Sequence, residues 1–379
     1  MQVYLDYAAT TPVDPRVVDA MLPYFTVRAG NASSLHAFGQ EARAAVDEAR
    51  AQVAGVIGSR PSEIVFTSGA TESDNLAVLG VALATESRGR HIVTTAIEHH
   101  AVLEPCHALQ QRGYAVTCVP VDGRGIVDPD DIRRALRGDT VLISVMAANN
   151  EIGTLQPVAE IGRLARETKI PFHSDATQLV GAGPVHVDEL QVDFLSLSGH
   201  KRYGPKGVGA LYVRRDTPLA PVQRGGGHER GWRGGTENVP GIVGLGRALQ
   251  IAAAEMGEES RRLAVLRDRL IREALALPGA HLNGDPLRRL PNNVNVSFDG
   301  TDSQSLVMSL DLQGVAVSAG SACSSGSIEP SHVLTALGIP AERATAAVRF
   351  TVGRGTTEEE VAYAAHALRE VVARLRQAA

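Results

Sequence analysis

Between about residues 63 and 213, short apolar and β-branched runs alternate with stretches of helical character. The runs 64–67, 91–97, 115–121, 141–147, 194–197 and 209–213 read as strands. Strands separated by helix-length segments predict an α/β layer with a largely parallel sheet. From about 239 to 277 the period becomes helical, with apolar Ile242, Leu245, Leu249 and Ile251 followed by charged residues after Glu255. That pattern predicts a long helix leaving the large domain. Strand-like 293–298, 315–318 and 348–352, with helix-like 303–310 and a closing helix from Thr357, predict a smaller α+β unit. The division expected is a large α/β domain over 15–250 and a small α+β domain from 1–14 and 251–379. Residues before Val17 fit either unit on their sequence alone.

Composition narrows the function classes. The chain has 379 residues, 44% hydrophobic, with a net charge of −5 spread along its length. No basic block suits a nucleic acid, and no apolar run of about 18 residues suits a membrane span. Met1 leads directly into Val3-Tyr4-Leu5-Asp6-Tyr7 without a signal-peptide pattern, so a cytoplasmic location is expected. The three cysteines, Cys106, Cys118 and Cys323, form no CxxC pair, which argues against a disulfide framework or structural zinc. No resident metal site is expected. The only lysines are Lys169, Lys201 and Lys206. Arginine stays protonated and cannot form a Schiff base, so these three are the candidates for amine chemistry.

Ser68-Gly69-Ala70-Thr71-Glu72-Ser73 follows an apolar strand and leads to helix-like 75–84. A helix start of this kind suits a phosphate; a simple cap at Ser68 or Thr71 is the alternative. Asp175, in Pro171-Phe172-His173-Ser174-Asp175, ends an apolar strand and needs a partner. A protonated pyridine nitrogen is one such partner; a helix cap or an ion pair is another. Lys201, in Ser198-Gly199-His200-Lys201, follows the next strand, where an amine is readily desolvated and activated. Lys206 sits in a glycine-rich turn and reads as a surface charge.

His99 and His100 follow another strand without a third ligand at metal spacing. Adjacent residues at a helix start diverge, so at most one is expected to face a site. One imidazole stacked on a flat ring could exchange protons with it; solvent exposure is the alternative. Cys323 stands among small residues in Gly320-Ser321-Ala322-Cys323-Ser324-Ser325-Gly326, which suits an accessible nucleophile. Cys118, within its strand, reads instead as a buried small hydrophobe. Arg349, inside an apolar strand, requires a carboxylate partner from protein or substrate.

Five segments together resemble the class V aminotransferase group, and within it the cysteine desulfurases of the nitrogenase and housekeeping iron–sulfur assembly branch. They are Tyr4-Leu5-Asp6-Tyr7-Ala8-Ala9-Thr10-Thr11-Pro12, Thr67-Ser68-Gly69-Ala70-Thr71-Glu72-Ser73-Asp74-Asn75, Asn149-Asn150-Glu151-Ile152-Gly153, Ser198-Gly199-His200-Lys201, and Gly225-Gly226-Gly227-His228-Glu229-Arg230-Gly231. The resemblance runs over nearly the whole chain. It implies a fold-type I pyridoxal-phosphate (PLP) transferase with a mainly parallel seven-stranded sheet, working as a homodimer.

The same resemblance implies residue roles. Lys201 holds pyridoxal 5'-phosphate covalently, Asp175 contacts its ring nitrogen, Gln178 its phenolic oxygen, and His99 stacks on the ring. Ala70, Thr71, Ser198 and His200 hold the phosphate, with Thr236 arriving from the second subunit. Asn150, Arg349 and Asn31 orient the substrate carboxylate. L-cysteine then yields L-alanine and a Cys323 persulfide, whose sulfur passes to an iron–sulfur scaffold or other acceptor protein; Cys323 may also ligate a cluster transiently. Ser327-Ile328-Glu329-Pro330-Ser331-His332-Val333-Leu334 resembles the longer loop of the branch that delivers sulfur directly.

Two features depart from the pattern: Ala32 follows Asn31 where many relatives have proline, and the chain ends at Ala379 without the longer tail of some members. A selenocysteine lyase or another class V enzyme is the alternative on the same scaffold. A non-catalytic protein that kept the fold and a nucleotide-binding protein are alternatives of other classes; the latter lacks a Walker lysine and a GxGxxG turn.

Overall fold

The computed structural model describes residues 1–319 and 330–378. β1 (Val3–Tyr4) and α1 (Pro15–Met21) precede a long α2 (Ala37–Ile57). Alternation follows through β2 (Ile64–Thr67), α3 (Ala70–Ala84), β3 (His91–Thr95), α4 (His100–Gln110), β4 (Ala115–Val119) and α5 (Pro129–Ala135). It continues through β5 (Thr140–Ser144), α6 (Val158–Thr168), β6 (Phe172–Asp175), α7 (Val187–Leu190), β7 (Phe194–Ser198) and β8 (Gly209–Val213). α8 (Val239–Leu275) leads to β9 (Ala280–Leu282), β10 (Asn293–Phe298), α9 (Ser303–Leu312) and β11 (Val315–Ala316). After the undescribed residues come α10 (His332–Ala336), α11 (Ala341–Ala344), β12 (Ala347–Thr351) and α12 (Glu358–Ala378).

Seven strands form one sheet in the order β2-β8-β7-β6-β5-β3-β4. All are mutually parallel except β8, which runs antiparallel to β2 and β7. The reason is local: the short connection from β7 to β8 has no crossover helix, so the chain can only turn back. Helices cover both faces. On one, α2, α6 and the start of α8 pack on Phe66, Ile143, Leu195 and Tyr212; on the other, α3 and α4 pack on Val65, Ile92, Leu142 and Leu211. That double cover explains why β2, β5, β7 and β8 are buried at every residue rather than alternating.

α8 connects two cores. Its first half contributes Ile242, Leu245 and Leu249 to the large sheet, while Leu263, Leu266 and Leu270 join Val294, Phe298, Leu306, Phe350 and Leu368 in a second core. Val3 and Leu5 enter this second core, because β1 pairs in parallel with β11. We propose the division 15–250 against 1–14 with 251–379 on this packing.

Several expectations need correction. α3 begins at Ala70 rather than 75, so the small-residue turn is itself the helix start. β3 stops at Thr95, and β11 has only two residues. Cys118 is exposed, whereas Cys106 is the buried thiol. β4 is the outermost strand of its sheet and has a neighbour on one side only, which leaves Cys118 open.

A buried ion pair ties α2 to the 225–231 segment. Arg50 places both terminal nitrogens on Glu229, at 2.7 and 2.8 Å, and Glu229 also accepts from Phe66 N at 2.9 Å. Removing one member of a buried pair strands the other charge. Glu229→Ala is therefore expected to cost about 3–5 kcal/mol of stability, read by urea unfolding.

Candidate active site

Parallel strands end at one edge of a sheet, and ligands in open α/β folds sit beyond those carboxyl ends. Here that edge opens into a cavity of about 800 Å³. β2 leads to Ser68–Thr71, β3 to His99 and His100, β5 to Met146 and Asn150, β6 ends on Asp175, and β7 ends on Ser198 before His200 and Lys201; all of these line it. Asp6, Ala8 and Ala9 close one side, and Ser318, His332 and Arg349 another.

Lys201 Nζ donates to Ala8 O at 2.7 Å and Ala9 O at 2.8 Å. Burial pulls its pKa down to about 8, aided by the Arg349 cation and opposed by Asp175 and Asp6. Asp175 is buried and accepts from Thr177 N at 2.9 Å. Gln178 Nε2 donates to Ala8 O at 3.2 Å, which places the amide beside the lysine's own acceptor.

His99 caps α4, accepting from Ala101 N through Nδ1 at 3.1 Å. The neutral ring therefore carries its proton on Nε2. Although accessible through the open cavity, His99 is enclosed by protein; this burial lowers its pKa, Lys201, His100 and His332 add to the fall, and Asp175 opposes it. His200, held at 3.2 Å from Thr10 Oγ1, is pushed down to about 4 by burial.

The first turn of α3 presents backbone N–H groups that have no partner within the helix. Gly69 adopts φ 154°, a conformation that disfavours side chains, and a Cβ there would meet nothing closer than Ser198 Oγ at 4.0 Å. Beneath it, a Cβ on Gly209 would come 2.7 Å from Gly69 Cα, so β8 needs glycine to pass under the turn. The result is an open cradle at a helix N-terminus, with Ser198 and His200 alongside. An activated amine, a carboxylate at a strand end and an anion cradle in one cavity fit an aldehyde-bearing, phosphorylated pyridine.

Arg349 donates from Nη1 to Asn150 O and from Nη2 to Asp6 Oδ1, both at 2.9 Å. Its Nε is buried without a partner, leaving donor capacity for a further acceptor.

The structure thus gathers Ala70, Thr71, His99, Asn150, Asp175, Gln178, Ser198, His200, Lys201 and Arg349 around one cavity. Asn31 and Thr236 are exposed and do not line it, and Cys323 lies outside the described residues. Contrary to expectation, both His99 and His100 line the cavity, because His99 precedes the helix in an extended conformation. Lys206, although exposed, also reaches the rim. Sequence reasoning missed Asp6, Asp74 and His332 as cavity residues. Asp74 left no signal, since it stands in the polar run Thr71-Glu72-Ser73-Asp74-Asn75 that opens α3.

Residues 3–363 match the family described as Aminotransferase class-V. The chain is 53% identical over 376 residues to a cysteine desulfurase IscS of Dictyoglomus turgidum, covering 99% of this chain and 95% of the relative. A solved NifS-like protein superposes with a TM-score of 0.93 at 41% identity, covering 99% of this chain and all of the other. SspA, solved in complex with cysteine, gives a TM-score of 0.83 at 38% identity over 93% of this chain and 99% of that one. On this similarity, spread over nearly its full length, the chain belongs to the class V aminotransferase family of PLP enzymes and, within it, to the cysteine desulfurases.

Proposed function

We propose that this chain takes sulfur from L-cysteine, releases L-alanine, and passes the sulfur through Cys323 to an iron–sulfur scaffold or another acceptor protein. The observation that carries the reading is the Lys201 amine, with its pKa lowered to about 8, facing one cavity with Asp175, His99 and the start of α3. PLP, when bound, supplies an aldehyde and a ring that withdraws electrons from the substrate's α-carbon.

Lys201 would hold the cofactor through its amine and, when free, move the proton at the substrate's α-carbon. Asp175 would face the ring nitrogen, Gln178 the phenolic oxygen, and His99 the ring face, with Nε2 available for proton exchange. Ala70 and Thr71 would bind the phosphate through α3, joined by Ser198 and His200. Arg349 and Asn150, with Asn31, would orient the substrate carboxylate. The Cys323 thiolate would attack the substrate sulfur; the carbon–sulfur bond breaks with its electron pair on carbon, which takes a proton. Cys323 retains the sulfur as a persulfide.

A homodimer accounts for the two residues that lie away from the cavity. Thr236, and Asn31 with it, would act at the site of the second copy. Leu22, Phe25, Val27, Leu35 and Phe38 leave large apolar side chains exposed near Asn31, as expected of a surface that a partner covers. Among the described residues no helix is long and apolar enough to cross a membrane, and we assign the chain to the cytoplasm.

The test is stoichiometric. Protein loaded with PLP should absorb visible light and, given L-cysteine and a reductant, should release alanine and sulfide in equal amounts. Visible absorbance without sulfide would keep the cofactor reading and reject the substrate.

Lys201 adds a pH dependence. Only the neutral amine attacks an aldehyde, and lowering its pKa to about 8 makes that form available nearer neutrality. The rate at which cofactor-free protein captures PLP should rise roughly tenfold per pH unit below this value and level off above it. Stopped-flow absorbance measures it directly.

A further inference from the structure

Beneath the cavity floor lies a polar layer in which Asp175 alone has a role above. In neighbouring β5, β6 and β7, Ser144 pairs in register with His173, and Asp175 with Ser196. His173 Nδ1 is 2.8 Å from Ser144 Oγ, and its Nε2 is 3.0 Å from Ser196 Oγ. Residues two apart on a strand share a face, so His173 and Asp175 stand on the same side of β6. Asp74, from α3, meets that side: its Oδ1 lies 3.4 Å from His173 Nε2. The residue is fully buried and neither oxygen makes a hydrogen bond of ordinary geometry, yet it lines the same cavity as Asp175.

An ionised carboxylate so poorly supplied with donors in such a place is strongly disfavoured, so the group retains its proton. His173 offers no compensating charge, since burial pushes it down to about 4 and leaves it neutral. Burial likewise raises Asp74 well above the usual carboxylate range; Asp175 adds to the rise, and the Ser196 hydroxyl offsets part of it. Asp74 and Asp175 in turn add to the rise of Glu98, after β3, which burial pushes up to about 8.

We propose that Asp74 is a positioning residue for Asp175: an acid kept neutral beneath the floor, so that Asp175 alone presents negative charge to the cofactor's ring nitrogen. The inference rests on the cofactor reading above. Two carboxyl groups that line one site repel when both are ionised. A charge on Asp74 would therefore set a second negative charge behind Asp175 and change the field at a cationic ring.

Infrared difference spectra of cofactor-free protein test the protonation state. At pH 7, Asp74→Asn is expected to remove a protonated-acid stretch that Glu98→Gln, which deletes the raised acid coupled to Asp74, leaves in place. Absorbance titration of PLP-loaded protein tests the consequence. Asp74→Asn should match wild type at pH 7 but lack the alkaline change in the cofactor band that is expected of wild type. An unchanged infrared band in Asp74→Asn, or a cofactor band that follows wild type at every pH, would overturn the proposal. Should Asp74→Asn fail to fold, the Glu98→Gln protein decides, and absence of any protonated-acid stretch there overturns it. Failure of every protein to take up PLP would instead reject the cofactor reading, and the positioning role with it, whatever the infrared result.

Discussion

Lys201→Ala is expected to lose turnover of L-cysteine by about four orders of magnitude or more, since one substitution removes both the covalent anchor and a proton-transfer group. No other lysine can substitute. Lys169 is exposed at the end of α6, and Lys206, although at the rim, lies in a solvent-facing turn. The variant should remain folded, because the Lys201 amine contributes only hydrogen bonds to Ala8 O and Ala9 O. Alanine and sulfide yields measure the loss, and the visible spectrum reports the missing covalent attachment. Turnover within tenfold of wild type would reject the anchor role.

Cys323→Ala separates the second half of the chemistry from the first. Asp175, His99, Lys201 and the start of α3 are untouched, so the variant should take up PLP and respond spectrally to L-cysteine. Sulfide release, however, should fall at least about a thousandfold, since the attacking thiolate is gone. Cys106 cannot replace it, because its thiol is buried on the inner side of α4 and pushed up to about 12. Cys118 is exposed, but it belongs to the edge strand of the large sheet and does not line the cavity. Normal sulfide release by Cys323→Ala would reject the persulfide role and move attention to another nucleophile.

Much of this arrangement was legible in the chain itself. The alternation of apolar runs predicted the parallel sheet, because strands buried on both faces must be apolar throughout and joined by crossovers. Asp175 and Lys201 stood out for a related reason: a charged group at the end of a buried strand has no solvent to satisfy it and must find a partner. Less visible was α3, whose start at Ala70 rather than 75 depends on a glycine N-cap and on β8 passing beneath it.

Other features arise only from contacts between residues far apart in sequence. Arg349 meets Asp6 across 343 positions, and Asp74 meets His173 through the packing of a helix on a strand. Nothing local in either segment encodes those distances. The exposure of Cys118 is likewise a property of strand order, which placed β4 at the edge and defeated a reading based on its own neighbours. Local pattern and residue chemistry thus determined the elements, the layer architecture and most of the reactive groups, because periodicity and desolvation act on each segment by itself. Tertiary structure decided which charges face one another and which acid keeps its proton, because Coulomb interactions and burial depend on how separate segments come together.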